Sequence, residues 1–298
     1  MSHKTTRVGF LGRGVMGGPM ARNLLKAGFE VTGYSGDETD MDALTAAGGC
    51  RAASVAGAVQ DADTVITLLH DSSDVRTVVL GDDGVLANAR EGALLIECST
   101  VHPEVSRALA AAAAGKGVRI LEAPVSGGEQ PAVEGTLTII AGGDAATLDA
   151  ARPVLRALGD TVVHVGPIGA GQAVKAANRL IVAGTIELIA ESLVLLEAQG
   201  ADTSAAIDVL AHGLAGSRIL DRKAAAMARR EFTAGFPVDL HHKDLGIVQD
   251  AARESGVALP LGTVVAQLMA VLKAQGHGAL DHGALLKVVE QLSGRAGG

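Results

Sequence analysis

The amino-acid sequence predicts an α/β domain built on a mostly parallel, doubly wound sheet, followed by an all-α domain. Three observations carry that expectation. Over residues 1–166, short apolar runs alternate with helical patterns, as strands joined by crossover helices do. Beyond them, over residues 167–298, strand signals nearly vanish and helical periodicity takes over. A glycine-spaced turn also stands between the first apolar run and the first helical pattern, in "VGFLGRGVMGGPMARNLLKAG".

The strand candidates, in order, are "RVGFLG", "EVTGY", "DTVITLL", "ALLIECS", "VRILEAP", "LTIIAGG" and "TVVHV". Several lack period-two alternation, which suits strands covered by helices on both faces. Between them, "MGGPMARNLLKAG" reads as a helix ended by Gly28, and "PEVSRALAAAAAGKG" as a helix of high intrinsic propensity. "GPIGAG", residues 166 to 171, marks the change of style and the domain boundary. The helix that follows is expected from Ala170 to Gln199, roughly 45 Å long. It is apolar on most sides, so a second domain or a second subunit should cover it.

A chain of 298 residues suits two domains, and 48% hydrophobic against 19% charged residues is globular composition. The net charge of -8, with 2% aromatics and no Trp, lacks both the cationic surface and the stacking platforms of a nucleic-acid partner. Cys50 and Cys98 fall outside any metal or redox spacing, and the nine histidines show no ligand motif, so no metal is expected and a reducing cytoplasm is the simplest setting. "MSHKTTR" runs straight into the first strand without an apolar leader. The longest apolar run, "LIVAGTIELIAESLVLL", holds Glu187 and Glu191, which a membrane helix would resist.

Gly12, Gly14 and Gly17 have the GxGxxG spacing of a dinucleotide site, with Arg13, Val15 and Met16 between them. The glycines allow a tight turn, close approach of a pyrophosphate and close helix packing, while the helix N-terminus receives the phosphate charge. NAD or NADP is therefore the expected cofactor. An acidic residue roughly 20 residues further on normally binds the NAD ribose. Here "GYSGD" offers Ser35 and Gly36, with Asp37 slightly late. Arg13 would favour a 2′-phosphate and Asp37, Glu38 and Asp40 would repel one, so the choice between cofactors stays open.

"GQAVKAANRLIV" places Lys175, Asn178 and Arg179 within one turn of an otherwise apolar helix. Taken alone, Lys175 snorkelling from a helix start and Arg179 pairing with a surface acid is the simpler reading. Beside a dinucleotide site there is another. Hydride transfer to a carbonyl builds alkoxide charge, and an ammonium whose pKa burial pulls down can supply the proton, with Asn178 on the same face. In "PVSGG", Ser126, Gly127 and Gly128 can turn a hydroxyl and backbone N–H groups toward a carboxylate, or can simply form a turn that needs glycine. Ser99 and Thr100 either meet the nicotinamide half or cap the helix opening at Pro103. Lys243 and Asp244 read as an exposed ion pair on a helix, and His241 and His242 as solvated or adjacent to a site.

Four motifs in order, "GFLGRGVMGGPMARNLLKAG", "LEAPVSGGEQPAVEGTLTIIAGGD", "GPIGAGQAVKAAN" and "HHKDL", resemble the β-hydroxyacid dehydrogenase family. The resemblance implies a Rossmann-type N-terminal domain, an all-α C-terminal domain, a site in the cleft between them, and a homodimer or homotetramer. It implies that Lys175 is the catalytic lysine and that Asn178 helps position the substrate. Ser126, Gly127 and Gly128 would hold the substrate carboxylate, Thr100 and Lys243 would contact the cofactor, and Asp244 would stand beside the site. The implied substrate is a small anionic hydroxy acid or semialdehyde. "GLAGSRILDRKA" and "GHGALDHGALL" are most similar to the branch that reduces tartronate semialdehyde to glycerate, with 3-hydroxyisobutyrate as the alternative. A dinucleotide-binding sensor without turnover is the reading from another class.

Three positions depart from the family pattern. Leu69 and His70 stand where Leu-Pro is usual, so the loop over the nicotinamide should differ. Arg179 occupies the position four after the lysine, where many members carry Asn. Glu97 and Glu122 replace Asp, a change expected to be silent.

Overall fold

The computed structural model describes residues 6–12 and 14–295. The chain divides into two compact units, Met1–Lys175 and Ala176–Gly298.

The first unit holds one sheet, with nine strands among the described residues. They are β1 (Arg7–Gly12), β2 (Glu30–Tyr34), β3 (Cys50–Arg51), β4 (Thr64–Leu68), β5 (Leu94–Glu97), β6 (Arg119–Glu122), β7 (Val125–Ser126), β8 (Thr138–Gly142) and β9 (Thr161–Gly166). The helices between them are α1 (Gly14–Lys26), α2 (Glu38–Ala46), α3 (Val55–Val59), α4 (Ser72–Leu80), α5 (Val85–Asn88), α6 (Pro103–Ala114), α7 (Glu129–Glu134) and α8 (Ala145–Arg156). Strand order is β3-β2-β1-β4-β5-β6-β8-β7, with β9 on β8. The first six strands are parallel, β8 runs antiparallel to β6 and β7, and β9 is parallel to β8. The expected doubly wound sheet is therefore present.

Its two faces explain the missing alternation in the strand sequences. Phe10, Ile66 and Ile96 belong to one core with Met20, Leu24 and Leu121, while their chain neighbours Leu11, Val65 and Leu95 belong to another with Val75, Val101 and Leu109. Both sides of each strand are covered, so apolar residues fill successive positions. The short strands β3 and β7 carry too few residues for a periodic signal. β7 follows Pro124, which lacks an N–H, and the chain there turns to pair antiparallel with β8.

α9 (Ala170–Ala198) begins in the first unit and continues into the second, within a residue of its expected end. The second unit adds α10 (Thr203–His212), α11 (Arg218–Ala228), α12 (Val238–Glu254), α13 (Pro260–Leu272) and α14 (Leu286–Leu292). Its core joins Ile186 and Leu193 of α9 to Leu220, Leu245, Met269 and Leu286. Ile181, Leu188 and Leu195, seven residues apart on α9, stay exposed. Among the described residues no helix is long and apolar enough to cross a membrane.

Candidate active site

β1 and β4 lie side by side at the centre of the sheet, and their crossovers leave in opposite directions, which opens a crevice beyond the strands' carboxyl ends. β1 runs into it at Gly12, and α1 starts from it at Gly14, whose φ is 74°. Gly17 is buried against the strand: a Cβ there would lie 3.2 Å from the carbonyl carbon of Gly12. The first turn of α1 holds no acidic side chain, and Val15 is exposed while Met16 is half-buried. A close strand–helix turn that opens onto a helix N-terminus fits a pyrophosphate. Arg13 lies outside the described residues.

The other expected cofactor residues sit at neighbouring strand ends. Ser35 follows β2, Leu69 and His70 follow β4, and Ser99 and Thr100 follow β5. Leu69 N donates to Ser99 Oγ at 2.8 Å, so one hydroxyl ties two of these loops together. The alternative in which Ser99 or Thr100 caps α6 is set aside. His102 is the cap, its Nδ1 accepting from Glu104 N at 3.2 Å, and His102 N donates to Ser72 Oγ.

The two glutamates expected to be silent hold this region together. Glu97 accepts from Ser99 N at 2.8 Å and from Thr67 Oγ1 at 3.3 Å. Glu122 Oε1 accepts from Gly169 N at 2.7 Å and Gly171 N at 2.6 Å, satisfying donors at the start of α9. Burial pushes the Glu97 carboxyl up to about 7, with the charge of Glu122 adding to it. It raises Glu122 as well, against the lowering effect of the backbone hydrogen bonds from Gly171 and Gly169.

In the first turn of α9, the buried amide of Gln172 donates from Nε2 to Ser99 O at 2.9 Å and accepts at Oε1 from Val101 N at 3.2 Å. It grips the peptides on either side of Thr100. Lys175 follows three residues later on the same face and is 2% exposed. Its Nζ donates to Val125 O at 2.5 Å, beside Ser126. The ammonium therefore does not snorkel outward but lies against the strand that leads into the Ser-Gly-Gly turn. Gly127 has φ 145° and Gly128 φ 85°, and a Cβ on Gly127 would meet Pro131 Cβ at 2.8 Å. Local geometry alone thus calls for both glycines.

In the second unit, Arg179 pairs through Nε with Asp244 Oδ2 at 2.6 Å, and its guanidinium lies 4.0 Å over the Phe236 ring. Lys243 Nζ reaches Asp244 Oδ1 at 3.1 Å. Asp244 is thus a buried acid between two cations, neither half of an exposed pair with Lys243 nor the surface partner that the simpler reading gave Arg179. Burial lowers the Arg179 pKa and Asp244 opposes that shift. His241 is fully buried rather than solvated, with Nε2 3.3 Å from Arg179 O and Nδ1 2.9 Å from His282 Nδ1. Burial, then the charge of Arg179, pushes it down to about 4, so the pair is neutral near pH 7. His242 and Asn178 are half-buried.

The first unit brings together the glycine turn, Ser35, Leu69 and Thr100 at the strand ends, and sets Lys175 against Val125 next to Ser126. The second unit pairs Lys243 with Asp244. Sequence reasoning passed over Gln172, Phe236 and His282. The spacing of Gln172 and Lys175, three apart on one helix, is the signal that points to the first. For the other two no local spacing carries one. Among the described residues no group of three or more His, Cys, Asp or Glu is placed to hold a metal ion.

Residues 7–166 match the family model described as the NAD binding domain of 6-phosphogluconate dehydrogenase, and residues 169–289 the one described as the NAD-binding of NADP-dependent 3-hydroxyisobutyrate dehydrogenase. The chain is 38% identical to an NAD-dependent L-serine dehydrogenase of Pseudomonas aeruginosa, over 97% of this chain and 99% of that one. It is 33% identical to the 2-hydroxy-3-oxopropionate reductase of Escherichia coli, over 96% and 98%. Among solved structures, a Mycobacterium tuberculosis 3-hydroxyisobutyrate dehydrogenase with L-serine superposes with a TM-score of 0.88 at 35% identity, covering 97% of this chain and 99% of that one.

Proposed function

The chain belongs to the β-hydroxyacid dehydrogenase family, NAD(P)-dependent oxidoreductases of hydroxy acids, and from that premise we propose that it interconverts tartronate semialdehyde and glycerate with Lys175 as general acid and base. The observation that carries the reading is the buried Lys175 ammonium held at Val125 O, next to Ser126 and the two glycines.

Gly12, Gly14 and Gly17, with Val15 and Met16, would hold the pyrophosphate, and Leu69, His70 and Thr100 would flank the nicotinamide. When bound, the nicotinamide supplies or accepts the hydride. The chain's own residues do the rest. Ser126 Oγ and the peptide N–H groups of Gly127 and Gly128 receive the substrate carboxylate and fix its orientation. Lys175 gives its proton to the carbonyl oxygen as hydride arrives at carbon, and in oxidation the neutral amine takes the hydroxyl proton back. Asn178, three residues on along α9, hydrogen-bonds the substrate. Lys243 is proposed to meet the cofactor, with Asp244 as the charge that keeps it oriented.

Glycerate, L-serine and 3-hydroxyisobutyrate all have a CH2OH group on a carbon that carries the carboxylate, and they differ only in the third substituent of that carbon. L-serine is accordingly the second reading, favoured by the Pseudomonas relative and by the ligand of the Mycobacterium structure. A panel of these three acids with NAD and with NADP, following reduced cofactor at its absorbance maximum, tests both. Faster turnover of glycerate supports the first reading, faster turnover of L-serine replaces it with the second, and no turnover of any acid leaves the non-catalytic sensor.

The exposed row of Ile181, Leu188 and Leu195 supports self-association as a homodimer or homotetramer, which light scattering on the eluting protein measures. Cys50 and Cys98 are free thiols, which suits work in the cytoplasm.

A further inference from the structure

We propose that Asp40 reads the adenosine ribose of the cofactor and makes this chain prefer NAD(H) to NADP(H). In the general dinucleotide site an acid at the end of the second strand accepts from the ribose hydroxyls, and its charge excludes a 2′-phosphate. Here that strand end is Ser35-Gly36, with neither an acid for the ribose nor an arginine for a phosphate.

The structure supplies the carboxylate from the next element. Asp37 caps α2 by accepting from Thr39 N at 2.9 Å, so the helix opens immediately after β2 and its first turn faces back over the strand end. Asp40, in that turn, has Oδ2 3.3 Å from Gly14 N and 3.3 Å from Ser35 Oγ. Asp37 N donates to Ser35 Oγ at 3.1 Å, which leaves the Ser35 proton free to point at Asp40. One carboxylate oxygen thus bridges the glycine turn and the end of β2, where the adenosine ribose lies when the pyrophosphate is on α1.

A 2′-phosphate would bring roughly two negative charges to that carboxylate, with Asp37 and Glu38 close by in sequence. Arg51 is already engaged by Glu38 and Asp42. The ribose hydroxyls of NAD, by contrast, are donors that an acceptor-only carboxylate satisfies.

The inference needs only dinucleotide binding, so its test uses no substrate. Dissociation constants for NADH and NADPH are measured on the full chain by titration calorimetry, for wild type, Asp40→Asn and Asp37→Asn, with circular dichroism as the check on folding. Asn at 37 still caps the helix. Wild type should bind NADH tighter by about tenfold or more, and Asp40→Asn should cut that ratio by about fivefold or more, less so at high salt, while Asp37→Asn keeps most of it. Equal affinity for the two cofactors in wild type, an unchanged ratio in Asp40→Asn, or an equal loss in Asp37→Asn would each overturn the assignment.

Discussion

Replacing Glu97 by Gln removes a proton-binding group from beneath the Ser99–Val101 turn while keeping its shape. Glu97 is 1% exposed, and loss of water is the main reason its carboxyl titrates at about 7 instead of the ordinary 4.5. The native protein therefore keeps a proton that the unfolded chain has already released. Between those two values the native state binds more protons, so its stability falls as pH rises through the window and levels off above about 7. At about 1.4 kcal/mol for each pH unit of the window, the loss by pH 8 is about 3 kcal/mol, of which about 2–3 kcal/mol falls between pH 5 and pH 8. Gln does not ionise and still accepts from Ser99 N. The stability difference between variant and wild type should therefore move in the variant's favour by that amount over the same pH interval, on top of any constant cost of orienting the amide. The histidine contribution is common to both proteins and drops out of the comparison. Urea unfolding followed by far-ultraviolet circular dichroism suits a chain without Trp. A difference that is the same at pH 5 and pH 8 would refute the argument that burial controls this carboxyl.

Lys175→Ala should lower kcat by about a thousandfold while NADH affinity, measured by calorimetry, stays within about twofold, because the proton donor is lost and the glycine turn is not touched. Gly127→Ala must place a Cβ at φ 145° and 2.8 Å from Pro131; a loss of about 1–3 kcal/mol in thermal unfolding, with a raised substrate KM, is expected. Gln172→Leu leaves Ser99 O and Val101 N without their partner at a cost of about 1–3 kcal/mol, and kcat should fall about tenfold with little change in KM for the cofactor. A fall in melting temperature with kcat unchanged would make Gln172 a structural brace only.

Much of the first unit was legible because its signals are local. Covered strands show themselves as unbroken apolar runs, and Gly12, Gly14 and Gly17 are demanded by the turn in which they sit. α9 could be bounded to within a residue because its apolar periodicity persists over its whole length. Lys175 could be named as a candidate only beside the other motifs, since taken alone it read more simply as a snorkelling surface lysine. Its bond to Val125, 50 residues away, shows that it does not snorkel.

The sequence by itself determined the doubly wound sheet, the glycine turn and the long polar-edged helix, since each depends on side-chain periodicity or on the backbone freedom of particular residues. Tertiary structure alone decided that Glu122 anchors α9, that Gln172 grips the Thr100 turn, that Asp40 reaches Gly14 and that Arg179 is matched to a buried acid. Those contacts join residues 26 to 73 positions apart. A hydrogen bond or ion pair across such a gap depends on where packing brings the two elements, and no spacing along the chain encodes that.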